Sequence, residues 1–254
     1  MEISFEGKTV LVTGASTGIG AAVAQGFAGC GAAVGVHYNT NADAAGEVVA
    51  GIVDAGGRAV PVPADLSEPR DYDDLVADVE NRLGPVDVLV NNAGSLVGRR
   101  ATGEVERAFY DEVMELNLGS VVGLCNAVVP GMSERGGGVI VNVSSIAADN
   151  GGGPGSSLYG ASKGAVASYT RALAKELAGV NIRVNAISPG VISTPFHERF
   201  STPESLAAMA ATIPAGRTGT AQECVGPTLF LASDPMSGYV TGQVLAVNGG
   251  QYFR

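Results

Sequence analysis

Apolar and polar positions along this chain alternate between two rhythms. Short β-branched runs recur, and the stretches between them carry apolar residues at helical spacing. The first run, Thr9–Thr13, leads through glycines into a segment with Ile19, Val23 and Phe27 one helical turn apart. The same pattern predicts strands at Ala32–Val36, Ala59–Pro63, Val86–Val90, Gly138–Val143, Ile182–Ile187 and Val244–Val247. It predicts helices at Asp43–Asp54, Tyr72–Leu83, Phe109–Pro130 and Ser157–Leu177. Apolar strands alternating with helices imply βαβ units, so the expected fold is α/β: a doubly wound, seven-stranded parallel sheet with helices on both faces. No Pro/Ser-rich linker or internal repeat divides the chain, and residues 1–254 are expected to form one domain. The stretch 194–220 breaks the rhythm with Pro195, Pro203 and Pro214 and a short helical pattern over Pro203–Thr212. An insertion there, near the carboxyl end of a strand, is where a substrate lid would sit.

Composition narrows the function. Hydrophobic residues make up 46% and charged residues 16%, enough apolar material for a large core. Lysine and arginine number 15 against 25 acids, a net charge of −10. Such a surface repels nucleic-acid phosphates and anionic lipid, so neither is an expected partner. The N-terminus has no basic region before an apolar segment, and no uncharged apolar run reaches the roughly 18–20 residues of a membrane span. Cys30, Cys125 and Cys224 are odd in number and widely spaced, which suits neither a disulfide framework nor a zinc site. Reduced thiols, a cytoplasmic location and no metal are the expectations.

The most informative segment follows the first strand: Thr13-Gly14-Ala15-Ser16-Thr17-Gly18-Ile19-Gly20. Gly14 and Gly18 permit a tight turn and close backbone approach to a ligand, and Gly20 permits close helix–sheet packing. The helix that follows offers free N–H groups to a pyrophosphate. A Rossmann-type dinucleotide site is expected.

The turn resembles the cofactor motif of the short-chain dehydrogenase/reductase family. Asn91-Asn92-Ala93-Gly94, Asn117, Ser145, Tyr159-x-x-x-Lys163 and Pro189-Gly190 follow in that family's order, and the likeness runs from Gly7 to Gly250. The resemblance implies an NAD(P)-dependent oxidoreductase moving hydride between nicotinamide and a carbonyl or secondary alcohol. It implies cofactor contacts from Gly14, Ser16, Thr17, Gly18, Ile19, Gly20, Asn92, Ala93, Gly94, Tyr159, Lys163, Pro189 and Gly190. It further implies adenine contacts from Asp65 and Leu66, carboxamide contacts from Ile192 and Thr194, and a homotetramer. The end of the second strand, Tyr38-Asn39-Thr40, carries no acid to hold a ribose diol and none to repel a 2′-phosphate. Asn39, Thr40 and Asn41 can donate hydrogen bonds there, which favours NADP over NAD.

The catalytic set has a chemical rationale. Tyr159 and Lys163 are four apart, on one helix face with Val166, so the face points inward. A lysine ammonium about 4 Å from the phenol, at an effective dielectric near 20, favours the phenolate by about 4 kcal/mol. That would bring Tyr159 about 3 pKa units down toward neutrality. Ser145 ends the fifth strand, where its hydroxyl can meet a developing oxyanion; Ser144 is the competing choice. The family likeness gives Asn117 a water linking Lys163 to solvent.

Substrate identity is not written in these motifs. The likeness extends to 3-oxoacyl-carrier-protein reductases and to sugar or polyol dehydrogenases alike. An acidic surface disfavours an acidic carrier unless Arg99, Arg100 and Arg107 form a local basic patch. Arg99 and Arg100 are candidates to bind an acidic group of the substrate, and His197 is a candidate pocket residue. A non-catalytic nucleotide-binding regulator, or an isomerase or dehydratase using the cofactor transiently, stays open as an alternative.

Overall fold

The computed structural model describes residues 3–68 and 72–253. In chain order these form β1 (Thr9–Val12), α1 (Gly18–Gly29), β2 (Ala33–Tyr38), α2 (Ala42–Asp54), β3 (Arg58–Pro63), α3 (Tyr72–Leu83), β4 (Val86–Asn91), α4 (Arg107–Met114), α5 (Ser120–Glu134) and β5 (Gly138–Val143). The second half adds α6 (Ala147–Asn150), α7 (Ser157–Leu177), β6 (Ile182–Pro189), β7 (Ile192–Ser193), α8 (Pro195–Phe200), α9 (Pro203–Ala211), β8 (Gly219–Thr220), α10 (Val225–Ala232), α11 (Asp234–Ser237) and β9 (Val244–Val247). Seven strands form one parallel sheet in the order β3-β2-β1-β4-β5-β6-β9. The order reverses beside β1, and the crevice at the carboxyl ends of β1 and β4 is the ligand position such sheets create.

Two apolar layers hold the sheet. On one face Val23 and Phe27 of α1, Val48 and Ile52 of α2 and Leu229 of α10 pack on Val10, Val12, Val34 and Val36. On the other, Val76 and Val79 of α3, Leu124 and Val128 of α5 and Val166 and Leu173 of α7 pack on Leu11, Leu89, Ile140 and Val184. Burial on both faces explains why the central strands read as unbroken apolar runs. Phe27 is fully buried, and each such side chain stabilises the fold by about 1.5–3 kcal/mol.

Four features depart from the sequence expectation. First, β2 runs to Tyr38 because His37 turns inward: Gly14 N–H donates to Nδ1 (3.0 Å), and Nε2 contacts Ala64 O (3.1 Å). With Nδ1 accepting, Nε2 must carry the proton. Second, the expected helix Phe109–Pro130 begins at Arg107, ends at Glu134, and is interrupted by a π turn over Glu115–Gly119. Asn117 Nδ2 donates to Val113 O (2.8 Å), the carbonyl that an α-helical ladder would pair with Asn117's own N–H. The inserted side chain widens the turn. The joined run Arg107–Glu134 is long and apolar enough to cross a membrane, with a mean hydropathy of 1.4, but α5 packs on β4 and against α3. Third, β6 extends to Pro189 because Ser188 and Pro189 pair with Ala246 and Val247 of β9. Fourth, the insertion 194–220 is closed at its neck by a two-stranded sheet, Ile192 on Gly219 and Ser193 on Thr220. It therefore forms a lid of α8 and α9 tethered at both ends.

Buried Arg183, at the amino end of β6, joins the sheet to the C-terminal helices. It donates to Leu231 O (2.8 Å), Ala232 O (3.2 Å) and Ser237 Oγ (3.2 Å), and pairs with Asp234 at 2.7 Å.

Candidate active site

The sheet's switch point opens into a cleft of about 830 Å3 running from the phosphate turn to the lid. Its walls include Gly14, Ser16, Thr17, Gly18, Ile19, Tyr38, Asn39, Thr40, Leu66, Asn92, Ala93, Gly94, Ser145, Tyr159, Lys163, Pro189, Gly190, Ile192 and Thr194. Three expected residues lie off this wall. Gly20 is buried behind the turn, where an added Cβ would fall 2.2 Å from Gly14 O and 2.5 Å from Asn92 Nδ2. Asn117 is fully buried behind Gly94 and Ser95. Asp65 Oδ1 accepts from Ser67 N–H (2.9 Å) and Ser67 Oγ–H (2.6 Å), and it is Leu66 and Ser67 that face the cleft.

The phosphate turn is built to receive a ligand. Gly14 and Gly18 both adopt left-handed φ, +59° and +58°. Thr17, the N-cap of α1, makes no side-chain cap, and the first turn holds no acid, so the helix N-terminus presents its N–H groups to the cleft. Asn92 fixes the turn from β4: its Nδ2 donates to Thr13 O (2.9 Å) and Gly14 O (3.0 Å), while its N–H donates to Thr13 Oγ1 (3.0 Å). Asn91 faces the other way, donating to Asn142 Oδ1 (2.9 Å), which belongs to a buried chain ending on Thr170. Open N–H groups beside left-handed glycines fit a dinucleotide pyrophosphate. Past Tyr38, Asn39 and Thr40 are exposed at the cleft edge, and Asn41 caps α2 by accepting from Ala44 N–H (3.2 Å), leaving its Nδ2 as a donor.

At the other end of the cleft, α7 presents Tyr159 and Lys163 on adjacent turns. Ser145 hydrogen-bonds the Tyr159 hydroxyl and accepts from Ala147 N–H (3.1 Å). Ser144 instead donates to Lys163 O (2.9 Å), turned into the protein. The two serines thus face opposite sides of the strand end, Ser145 toward Tyr159 and Ser144 into the protein. The glycine run before α7 accommodates the spacing, with Gly151 and Gly152 both left-handed at +79° and +70°.

The electrostatics differ from the sequence expectation. Lys163 Nζ lies 5.9 Å from the Tyr159 ring centroid and donates to Val143 O at 2.9 Å. Burial dominates both groups. It pushes the Tyr159 hydroxyl up to about 12, partly offset by Ser145, and pulls the Lys163 ammonium down to about 8. Tyr159 is therefore not near neutrality here, because desolvation of a phenolate outweighs an ammonium at this separation. The protonated phenol is an acid ready to donate. Lys163 has three N–H donors, and Gly94 makes room for them: a Cβ there would fall 2.9 Å from Nζ and 2.7 Å from Asn117 Oδ1. Asn117 gives both Nδ2 hydrogens to backbone, Ser95 O (2.8 Å) and Val113 O (2.8 Å), and accepts from Ser95 N–H (3.1 Å).

The lid supplies walls that the motifs did not indicate. Phe196 of α8 stands 5.9 Å from the Tyr159 ring and 5.2 Å from Phe200, a small aromatic wall over the catalytic end. Glu112, just before the π turn, Leu116 within it, and Gln251, after β9, also line the cleft. No motif marks them; their placement depends on how the helix break and the C-terminal turn pack. Of the expected residues Arg99 and His197 reach it, whereas Arg100 lies over Phe109 and is not on its wall. Among the described residues no group of three or more His, Cys, Asp or Glu gathers for a metal ion.

The family model described as enoyl-(acyl carrier protein) reductase matches residues 14–251. The chain belongs to the short-chain dehydrogenase/reductase family. A 3-oxoacyl-(acyl-carrier-protein) reductase of Thermotoga maritima is 40% identical over 247 residues, covering 96% of this chain and 98% of that one. A candidate NAD(P)-dependent gluconate 5-dehydrogenase of Beutenbergia cavernae, solved with NADP, superposes with a TM-score of 0.91 at 40% identity, covering 99% of each chain. A 7α-hydroxysteroid dehydrogenase complexed with NADH and a 7-oxo bile acid superposes at 0.92 with 37% identity, covering 100% of this chain and 98% of that one. The short-chain dehydrogenase/reductase described here is accordingly an NAD(P)-dependent oxidoreductase acting between a carbonyl and a secondary alcohol.

Proposed function

We propose that this enzyme reduces a ketone with NADPH, using Tyr159 as the proton donor and Ser145 as the second hydrogen-bond donor to the carbonyl oxygen. One observation carries the reading: a half-buried Tyr159 whose hydroxyl, held protonated by desolvation, is hydrogen-bonded to Ser145 on a cleft wall it shares with Lys163. The bound nicotinamide supplies the hydride, or takes it up in the reverse direction. Ser145 and Tyr159 hold the carbonyl oxygen, and Tyr159 transfers its proton as negative charge develops there. Lys163 stabilises the resulting phenolate and, with two donors beyond its bond to Val143, binds ribose hydroxyls. Asn117 secures the Ser95 backbone behind Lys163, so a water on the relay would meet the one lone pair Oδ1 keeps or a main-chain carbonyl of the π turn. Leu66 flanks the adenine, with Asp65 set behind it holding Ser67, and Ile192 and Thr194 flank the carboxamide.

NADP is favoured because Asn39, Thr40 and the free Nδ2 of Asn41 offer donors at the edge beyond Tyr38. The single carboxylate among the described cleft residues, Glu112, belongs to α4. Related structures include one with NADP and one with NADH, and the end of the second strand is where a dinucleotide fold tells the two apart. A cytoplasmic homotetramer completes the reading. Fluorescence titration of the purified enzyme with NADPH and NADH tests it, repeated with Tyr159→Phe. Tighter NADPH binding retained in the variant, with ketone turnover lost, is expected. Tighter NADH binding would reverse the cofactor preference, and binding of neither would end the reading.

A further inference from the structure

Beyond the catalytic end, the cleft changes character. Past Tyr159 comes the aromatic wall of Phe196 and Phe200, and two arginines contact Phe200. Arg99 donates to Phe200 O (3.3 Å) and to Pro154 O (2.8 Å), spanning from the lid to the loop before α7. Arg199 places its guanidinium 5.2 Å from the Phe200 ring. Both line the cleft, and among the described residues neither has an ion-pair partner. In a chain of net charge −10 two unpaired cations facing one cavity are a local exception. Carbonyl partners leave the charge of Arg99 uncompensated and three of its five N–H donors free. His197, also on this wall, is pulled down by burial and by Arg99, so it faces the same space as a neutral ring.

We infer that the substrate carries a carboxylate at the end remote from its reacting carbonyl, held by Arg99 and Arg199 past the Phe196–Phe200 wall. This rests on the ketone-reduction reading above. A guanidinium fork matches a carboxylate in shape and charge. The aromatic wall suits a short apolar or hydroxylated stem between the two ends. Docking of an acidic carrier protein is the competing source of anionic charge, and the outer surface does not favour it. Arg107 is paired with Asp111 at 2.7 Å, and Arg100 lies over Phe109 at 4.9 Å, away from the cleft wall. Of Arg99, Arg100 and Arg107, one is neutralised by its ion pair and one faces the cavity, which leaves Arg100 as the single unpaired cation of the three on the outer surface.

The test compares holoenzyme turnover of short oxo-acids with that of their methyl esters, in the wild type and in Arg99→Gln, Arg199→Gln and Arg99→Lys. The acid should show a KM about tenfold or more below that of its ester. Either glutamine variant should raise the KM of the acid by a similar factor and leave the ester nearly unchanged, and Arg99→Lys should recover part of the difference. Equal constants for acid and ester would overturn the inference. So would a parallel loss on both substrates in Arg99→Gln, which would mean that Arg99 only braces the lid. Preference for a thioester on an acidic carrier protein over the same acyl group on a small neutral thiol would assign the arginines to docking instead. In each of these cases hydride transfer persists and the oxidoreductase reading stands; absence of hydride transfer to any carbonyl would remove that reading itself.

Discussion

Tyr159 and Lys163 share one wall of the cleft, and desolvation moves their pKa values in opposite directions. Removing the phenol oxygen in Tyr159→Phe should lower kcat by about 10²–10⁴, the range for a positioned general acid, without loss of cofactor affinity. Lys163, pulled down to about 8, is charged below that pH and neutral above it. Its ammonium favours the phenolate formed on proton donation, so reductive kcat/KM should fall as pH rises through about 8. Tyr159, at about 12, stays protonated across the same window and adds no limb there. A profile flat from about pH 7 to 10 would show that the ammonium does not assist. His37 supplies a second residue-scale prediction. It bridges Gly14 N–H and Ala64 O, and His37→Phe leaves both main-chain groups without it. Unpaired buried groups cost about 1–3 kcal/mol each, so a denaturant midpoint should drop accordingly and cofactor binding weaken. The sequence marked the serine–tyrosine–lysine chemistry because those residue types at that spacing have few other uses. It left Ser144 against Ser145 open, and gave no basis for the bridge at His37. Both depend on which face of a strand end a side chain occupies, and a neighbouring element decides that.

At the scale of elements, the site depends on α1 lying hard against the turn that precedes it. Gly20 makes this possible, and the obstacle to a side chain there is the Gly14 carbonyl, which is backbone. Gly20→Ala must push α1 away from β1 or distort the turn. Overpacking of this kind costs about 1–3 kcal/mol, and the displaced N–H groups should weaken dinucleotide binding about tenfold or more. Unchanged cofactor affinity in a folded Gly20→Ala protein would mean that the approach of α1 is not what shapes the phosphate seat. Strand and helix order were readable because periodicity reports burial over many residues at once. The π turn was not, since one hydrogen bond from Asn117 to Val113 breaks a helix whose apolar spacing continues across it. The β7–β8 pair escaped for a similar reason: two residues on each side carry no periodic signal.

At the scale of the whole molecule, the two edges of the sheet are unlike. The β3 edge carries Pro61 and Pro63, which cannot donate to an added strand and so protect it. The β9 edge, Val244-Leu245-Ala246-Val247, has no such protection. Leu245 is 38% exposed there, and Tyr239 and Phe253 are exposed at 105% and 81%. An apolar, unguarded edge beside exposed aromatic rings is costly in water unless covered. This gives the proposed homotetramer a seat. Leu245→Glu would place a charge at that seat and should shift the sedimentation mass from tetramer toward dimer. Net charge sharpens the expectation. Each chain carries −10, so assembly brings like charges together. At an ionic strength of about 0.15 M the screening length is about 8 Å, and at about 0.01 M it is about 30 Å. Repulsion between subunits should therefore grow on dilution into low salt, and the tetramer should dissociate there first, more readily in Leu245→Glu. A mass that is monomeric at every salt concentration would show that the β9 edge is covered by something other than a second copy of the chain.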